Sequence, residues 1–299
     1  MKTLRKMIGR NAKMFFKDKG IFFTSLITPL ILLVLYATFL ANVYRDSFLS
    51  ALPEGVTVAD KLIDATVGGQ LFSSLLAVSC VTVAFCSNML MVQDKVTGAR
   101  DDLAVSPVKS WKIAVSYYVS TTISTLIVAF VAMGACFIYL ACVGWYLRFS
   151  DVMFLVLDVF LLVSFGTALS SVINFFLSSQ GQISAVGSIV SAGYGFICGA
   201  YMPISQFSDG LQKVISFLPG TYGTSLLRNH ALNGAFAEMS AQGFPAEVVK
   251  GIRDSIDCNL YFFGNAVPVW VMYLILVLSV AILLGVYIAL NVFAAKKKK

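Results

Sequence analysis

Residues 65–92 read ATVGGQLFSSLLAVSCVTVAFCSNMLMV, 28 positions without one charged side chain. An α-helix rises 1.5 Å per residue, so about 20 apolar residues cross the hydrocarbon of a bilayer. This stretch is longer than that, and tilt or extension into the headgroup layer takes up the excess. Asp64 stands just before it, and Asp94 and Lys95 follow it. Working outward from this segment, five further stretches read the same way: 22–41 (with Pro29 inside), a span within 113–147, 152–177 (containing Asp158), 183–201, and a span within 266–295. Only 12% of the 299 residues are charged, about half the share of a soluble domain. The chain is read as an all-α integral membrane protein with six transmembrane helices. A signal peptide at the first span is disfavoured, because its apolar run is too long and no small-residue cleavage site follows.

Lysine and arginine orient the spans. Seven precede the first span, four (Lys95, Arg100, Lys109 and Lys112) lie between the second and third, and four close the chain at 296–299. The opposite side carries seven, spread over longer loops. Positive charge collects on the cytoplasmic side, so both termini are expected there, in a bacterial cell membrane. The net charge of +7 thus reads as topology and contact with inner-leaflet lipid rather than nucleic-acid binding. Residues 3–19 place Leu4, Met7, Ile8, Met14 and Phe15 toward one side among basic residues, the pattern of an amphipathic interface helix. The expected plan is therefore this interface helix in 1–20, spans one to five in 22–201, an external segment in 202–265, and the sixth span with a basic tail in 266–299.

Outside the spans, 42–64 is an external acidic loop with a turn at Pro53-Glu54-Gly55. Residues 203–265 form the largest external piece. Its first part carries Leu211, Val214, Ile215 and Leu218 on one helical face between Pro203 and Pro219, too short to cross. A second short helix is expected over 246–253. In the fifth span, Gly187, Ser191, Gly195 and Gly199 recur every fourth residue and make a groove where another backbone approaches closely.

Catalytic chemistry is not legible. The dipeptide Gly-Lys does not occur, so no P-loop is present, and no metal motif is present either. His230 is the only imidazole, so the spans contain no nucleophile beside a base. Asp158 is the one acid inside a span. It is read as a hydrogen-bonded structural group, a part of a substrate path, or an ion-coupling site.

The loop between spans two and three reads Asp94-Lys95-Val96-Thr97-Gly98-Ala99-Arg100-Asp101-Asp102-Leu103-Ala104-Val105-Ser106-Pro107-Val108. It resembles the cytoplasmic coupling segment of type-two ATP-binding-cassette exporter permeases, with a mixed-charge pair, a glycine, a leucine and then Ser-Pro. Gly199-Ala-Tyr-Met-Pro203, Leu218-Pro219-Gly-Thr-Tyr222 and Leu227-Arg228 are similar to that family's re-entrant external hairpin. Asp94 stands where glutamate is commoner, and Ala99-Arg100 replaces a small hydroxyl residue and leucine. The resemblance covers the whole chain. It implies a non-catalytic subunit that binds no cofactor itself. Two separate P-loop ATPase subunits hold ATP and magnesium, and a second permease subunit, identical or related, completes the exporter. Residues 94–107 are then expected to form a short helix docked on an ATPase, with Leu103 as its apolar anchor. The cargo implied is amphiphilic or lipid-like. The competing readings are a structural or enzyme-anchoring membrane protein, and an ion-coupled secondary transporter using Asp158.

Overall fold

The computed structural model describes residues 2–50, 58–105 and 108–297. The turn expected at Pro53-Glu54-Gly55, and Ser106 and Pro107, lie outside them. Helix α1 (Lys2–Lys17) turns Met7, Asn11 and Phe15 inward and packs along α6. Asp18 then caps α2 (Lys19–Leu35), accepting the Ile21 amide at 3.1 Å. A π-helical turn (Tyr36–Leu40) carries α2 into α3 (Ala41–Ser50). The centre of the molecule is α4 (Asp60–Val96), buried at every residue from Ala65 to Asn88 because α2, α6, α7, α8 and α10 surround it. A short α5 (Ala99–Val105) leads to α6 (Ser110–Val143) and α7 (Phe149–Phe176). Next comes α8 (Gln180–Ile197), opened by a capping box of Ser179 and Gln182.

Past α8 the structure departs from the sequence reading. A short α9 (Asp209–Ile215) is followed by α10 (Pro219–Ala241), a 23-residue helix where the sequence suggested only external loop. α10 packs against α4, α7 and α12, and most of its residues are buried. Its first turn lies deep in the bundle. Gly223 meets Leu162, and Asn233 bonds Asp151 near the start of α7, so α10 climbs along α7 toward that helix's first residues. Proline at the first helical position fits, because no amide is needed there. α11 (Ala246–Ser255) and a two-stranded hairpin, β1 (Tyr261–Phe262) with β2 (Asn265–Ala266), lead into α12 (Val269–Lys297).

Among the described residues, five helices are long and apolar enough to cross a membrane: Lys19–Asp46, Asp60–Val96, Ser110–Val143, Phe149–Phe176 and Val269–Lys296. The remaining expected span corresponds to α8, which is shorter and carries two glutamines and three serines. The face predicted at 211–218 is divided: Ile215 is buried, while Leu211 and Val214 are exposed.

Candidate functional site

The helix ends around the 94–108 stretch are joined by its charges. Asp94 belongs to the last turn of α4, not to the short helix, and is buried. It accepts from Arg10 of α1 at 2.5 and 3.0 Å and from the Tyr117 hydroxyl of α6 at 2.5 Å. The hydrogen bond to Asp94 holds the Arg10 guanidinium above its ordinary pKa, against the opposing effect of burial. Lys95 donates to three backbone oxygens at the end of α7: Asn174 at 3.1 Å, Phe175 at 2.5 Å and Leu177 at 3.0 Å. A cation at a helix C-terminus satisfies carbonyls that have no intrahelical donor. Gly98, at φ 82°, makes the left-handed turn between α4 and α5. Arg100 of α5 reaches Asn291 of α12 at 2.7 Å. Asp94, Lys95 and Arg100 therefore face the protein's own helices rather than a separate docking surface. Leu103 is also partly inward, packed on the cluster of Met7, Met91 and Tyr117. The outward side of α5 carries Asp101, Asp102 and Val105, the last 90% exposed.

A second set of polar groups sits on α10. Arg228 is fully buried and pairs with Asp257 at 3.0 Å, with further bonds to the Gly199 carbonyl and to Ser74 of α4. Burial pushes the Asp257 carboxyl up from its ordinary pKa, while Arg228 and the Ile204 amide pull it down. Asn229 donates to the Cys258 carbonyl at 2.5 Å and accepts from Arg253 at 2.6 Å. His230 lies 2.6 Å from Asp158 of α7, whose other oxygen accepts from Tyr273 of α12 at 2.5 Å. Asn233 donates to Asp151 at 2.8 Å. Sequence reasoning found Asp158 and Arg228 but not their partners. The signal available was that a carboxyl inside a span needs a donor, and the chain has one histidine.

The small-residue face of α8 turns toward the chain itself. Gly187 is covered by Met89 of α4, and the ring of Tyr201 folds over Gly195. Gly199, at φ 73°, reverses the chain so that Ala200 and Tyr201 donate back to the Gly195 carbonyl. Ser191 is half-buried on the same helix. The opposite side, with Ala185, Ser188, Ile189 and Phe196, is exposed.

The sequence profile of the ABC-2 family transporter protein matches residues 57–293, which takes in α4 through most of α12. The chain belongs to the ABC-2 transporter family. This ABC-2 protein is thus a multi-pass membrane subunit of an ABC transporter, a transport component rather than a catalytic one, whose family pairs with an ATP-binding-cassette ATPase. No curated protein sequence matches the chain significantly.

The permease holds a cavity of about 880 Å³ between α2, α4 and α6. Its walls are mostly apolar, among them Leu33, Leu71, Phe72 and Val131. Tyr36 and Tyr139 meet across it, their hydroxyls 3.0 Å apart. One end is charged, where Arg45 pairs with both Asp60 and Asp64.

Proposed function

We propose that this permease exports an amphiphilic or lipid-like molecule from the cytoplasm of a bacterial cell. Two permease subunits, identical or related, work with two ATPase subunits that bind ATP and magnesium. Both termini and α5 lie on the cytoplasmic side, as the lysine and arginine distribution supports. The six-span plan counts α8, whose 18 residues rise about 27 Å, as the fifth crossing. α9 and the foot of α10 form the external re-entrant hairpin.

The observation that carries the reading is the attachment of α5. Asp94, Lys95 and Arg100 bind the segment around it to α1, α6, α7 and α12. A displacement of α5 by an ATPase thereby moves four helix ends together. Asp102 and Val105 are the outward groups for docking. The apolar cavity with one charged end supports an amphiphilic cargo. Asp158, with both oxygens engaged by His230 and Tyr273, supports a structural role over ion coupling.

The test is reconstitution of the permease with its ATPase in proteoliposomes, challenged with a panel of amphiphiles. Stimulated ATP hydrolysis, and ATP-dependent uptake of the same compound into inside-out vesicles, is the expected result. ATP-dependent uptake into right-side-out vesicles would reverse the direction. A complex without ATP-dependent movement of any panel member would favour an anchoring role.

A further inference from the structure

A cavity of about 320 Å³ lies where four of the membrane-length helices have an end. Lys95 belongs to the last turn of α4, and Ser110 opens α6. Phe175 is the last residue but one of α7, and Ala294 lies in the last turn of α12. These four line the cavity with Arg100 of α5 and Asn291 of α12. The rim is open, since Asp101 and Ala294 are both exposed there.

Two cations share this space. Lys95 and Arg100 repel one another, and neither is in a salt bridge among the described residues. Lys95 is occupied by the carbonyls of Asn174, Phe175 and Leu177, so it supplies charge and no free N–H. Arg100 is partly buried and gives Nη2 to Asn291. Its Nη1 and Nε have no partner among the described residues, and neither is sealed from solvent. A cation drawn out of water is costly unless an anion compensates it. Asp101 is the one carboxylate lining the cavity, which leaves one positive charge in excess.

The surroundings are those of a membrane surface. Trp111, Phe176 and Phe293, the sequence neighbours of three lining residues, are exposed. Exposed aromatic rings beside the ends of spanning helices mark the level where hydrocarbon meets headgroups.

We propose that this cavity binds the phosphate of an anionic phospholipid. Arg100 donates to the phosphate oxygens through its free nitrogens, Lys95 adds charge, and the acyl chains run along the lipid-facing sides of α6 and α12. Phosphatidylcholine carries the same phosphate but brings a further cation to two that already repel, so it is disfavoured. The site differs from the exposed lysines of α1 in holding its guanidinium in a cavity, fixed by Asn291. A bound phosphate ties α5 to the ends of α6 and α12. The proposal requires neither the ATPase nor a direction of transport, and it holds whichever side of the membrane α5 faces.

The test uses the full-length permease in phosphatidylcholine nanodiscs, with Trp145→Phe and Trp270→Phe leaving Trp111 as the sole tryptophan. A minor fraction of the lipid is replaced by phosphatidylglycerol brominated on its acyl chains, which quenches a neighbouring indole. Its quenching of Trp111 should exceed that by an equal fraction of brominated phosphatidylcholine. The excess should correspond to local enrichment on the order of tenfold, as for one charge-assisted hydrogen bond. Arg100→Gln should abolish the excess and Arg100→Lys should retain part of it, both leaving quenching by brominated phosphatidylcholine unchanged. Lys2→Gln with Lys6→Gln, on the exposed face of α1, should retain it in full. Equal quenching by the two lipids would overturn the site, as would an excess that survives Arg100→Gln or is lost with the α1 pair. Loss of the excess on adding inorganic phosphate, but not chloride at equal ionic strength, would overturn lipid as the source and leave a site for free phosphate.

Discussion

His230 Nδ1 stands 2.6 Å from a carboxylate oxygen of Asp158, and this contact joins α10 to α7. Tyr273 adds α12 at 2.5 Å on the other oxygen, so three helices meet on one buried carboxyl group. Removal of His230 leaves Asp158 one partner short in a site without solvent. His230→Ala is expected to cost about 1–3 kcal/mol. Asp158→Ala should cost a similar amount, and the double variant no more than the worse single one. Thermal unfolding in detergent checks this. Additive losses would mean that the two residues do not act as a unit.

The residues around α5 divide into two groups with separate phenotypes. Lys95→Met removes the donor that holds the end of α7 and should leave ATPase binding intact while cargo-stimulated hydrolysis falls. Asp102→Ala with Val105→Ala alters the outward side of α5 and should release the ATPase on co-purification. Insertion should survive the latter change, since acidic residues contribute little to topology. Retention of the ATPase by the α5 double variant would remove that face from the docking surface.

On α8, the environment of Gly195 predicts an effect within one subunit. Gly195→Leu collides with the Tyr201 ring and should destabilise by about 1–3 kcal/mol, as overpacking does. Tyr201→Ala in the same chain should recover part of the loss. Thermal unfolding of the three variants decides it. A second permease subunit would instead meet the exposed side of α8, so Ser188→Trp should disturb cross-linked dimers while Gly195→Leu does not. Equal disturbance by both would mean that the glycine face also takes part in the dimer.

The positive-inside assignment is tested by single cysteines in a chain freed of its own six. A cysteine at Ser240, exposed near the end of α10, should react with an impermeant thiol reagent on intact cells. A cysteine at Thr97, exposed between α4 and α5, should react only after permeabilisation. The opposite pattern would invert the topology.

Five of the expected spans were legible because hydrocarbon excludes charge, and charge-free runs are easy to find. Their helix ends were less so: α4 starts at Asp60 rather than 65, because a helix continues past the bilayer while hydropathy does not. α10 was missed for a different reason. Arg228, Asn229, His230 and Asn233 lower its hydropathy, and Gly220, Gly223, Ala231, Gly234 and Ala235 give it close contacts instead of large apolar side chains. A helix buried on several faces by small residues has no clear amphipathic period. The loop charges at 94–100 were found as a motif, but the direction of each side chain depends on neighbours distant in sequence: Arg10, Asn174 and Asn291.

Arg228, Asn229 and His230 are consecutive, and successive helical residues point about 100° apart. Arg228 reaches Ser74 of α4 as well as Asp257, Asn229 holds the adjoining Cys258, and His230 turns to Asp158 of α7, so their bonds leave α10 on more than one side, like splines on a shaft. A screw motion of α10 would shear all three sets at once, whereas a tilt pivoting about this level strains them far less. The free end of such a lever is the foot at Pro219, which is hydrogen-bonded to the α9 segment through Thr221 and Tyr222 and would carry that segment with it. Rearrangement of this region during a transport cycle should accordingly be a swing of the foot between α8 and α12, with the upper half of α10 serving as the fulcrum.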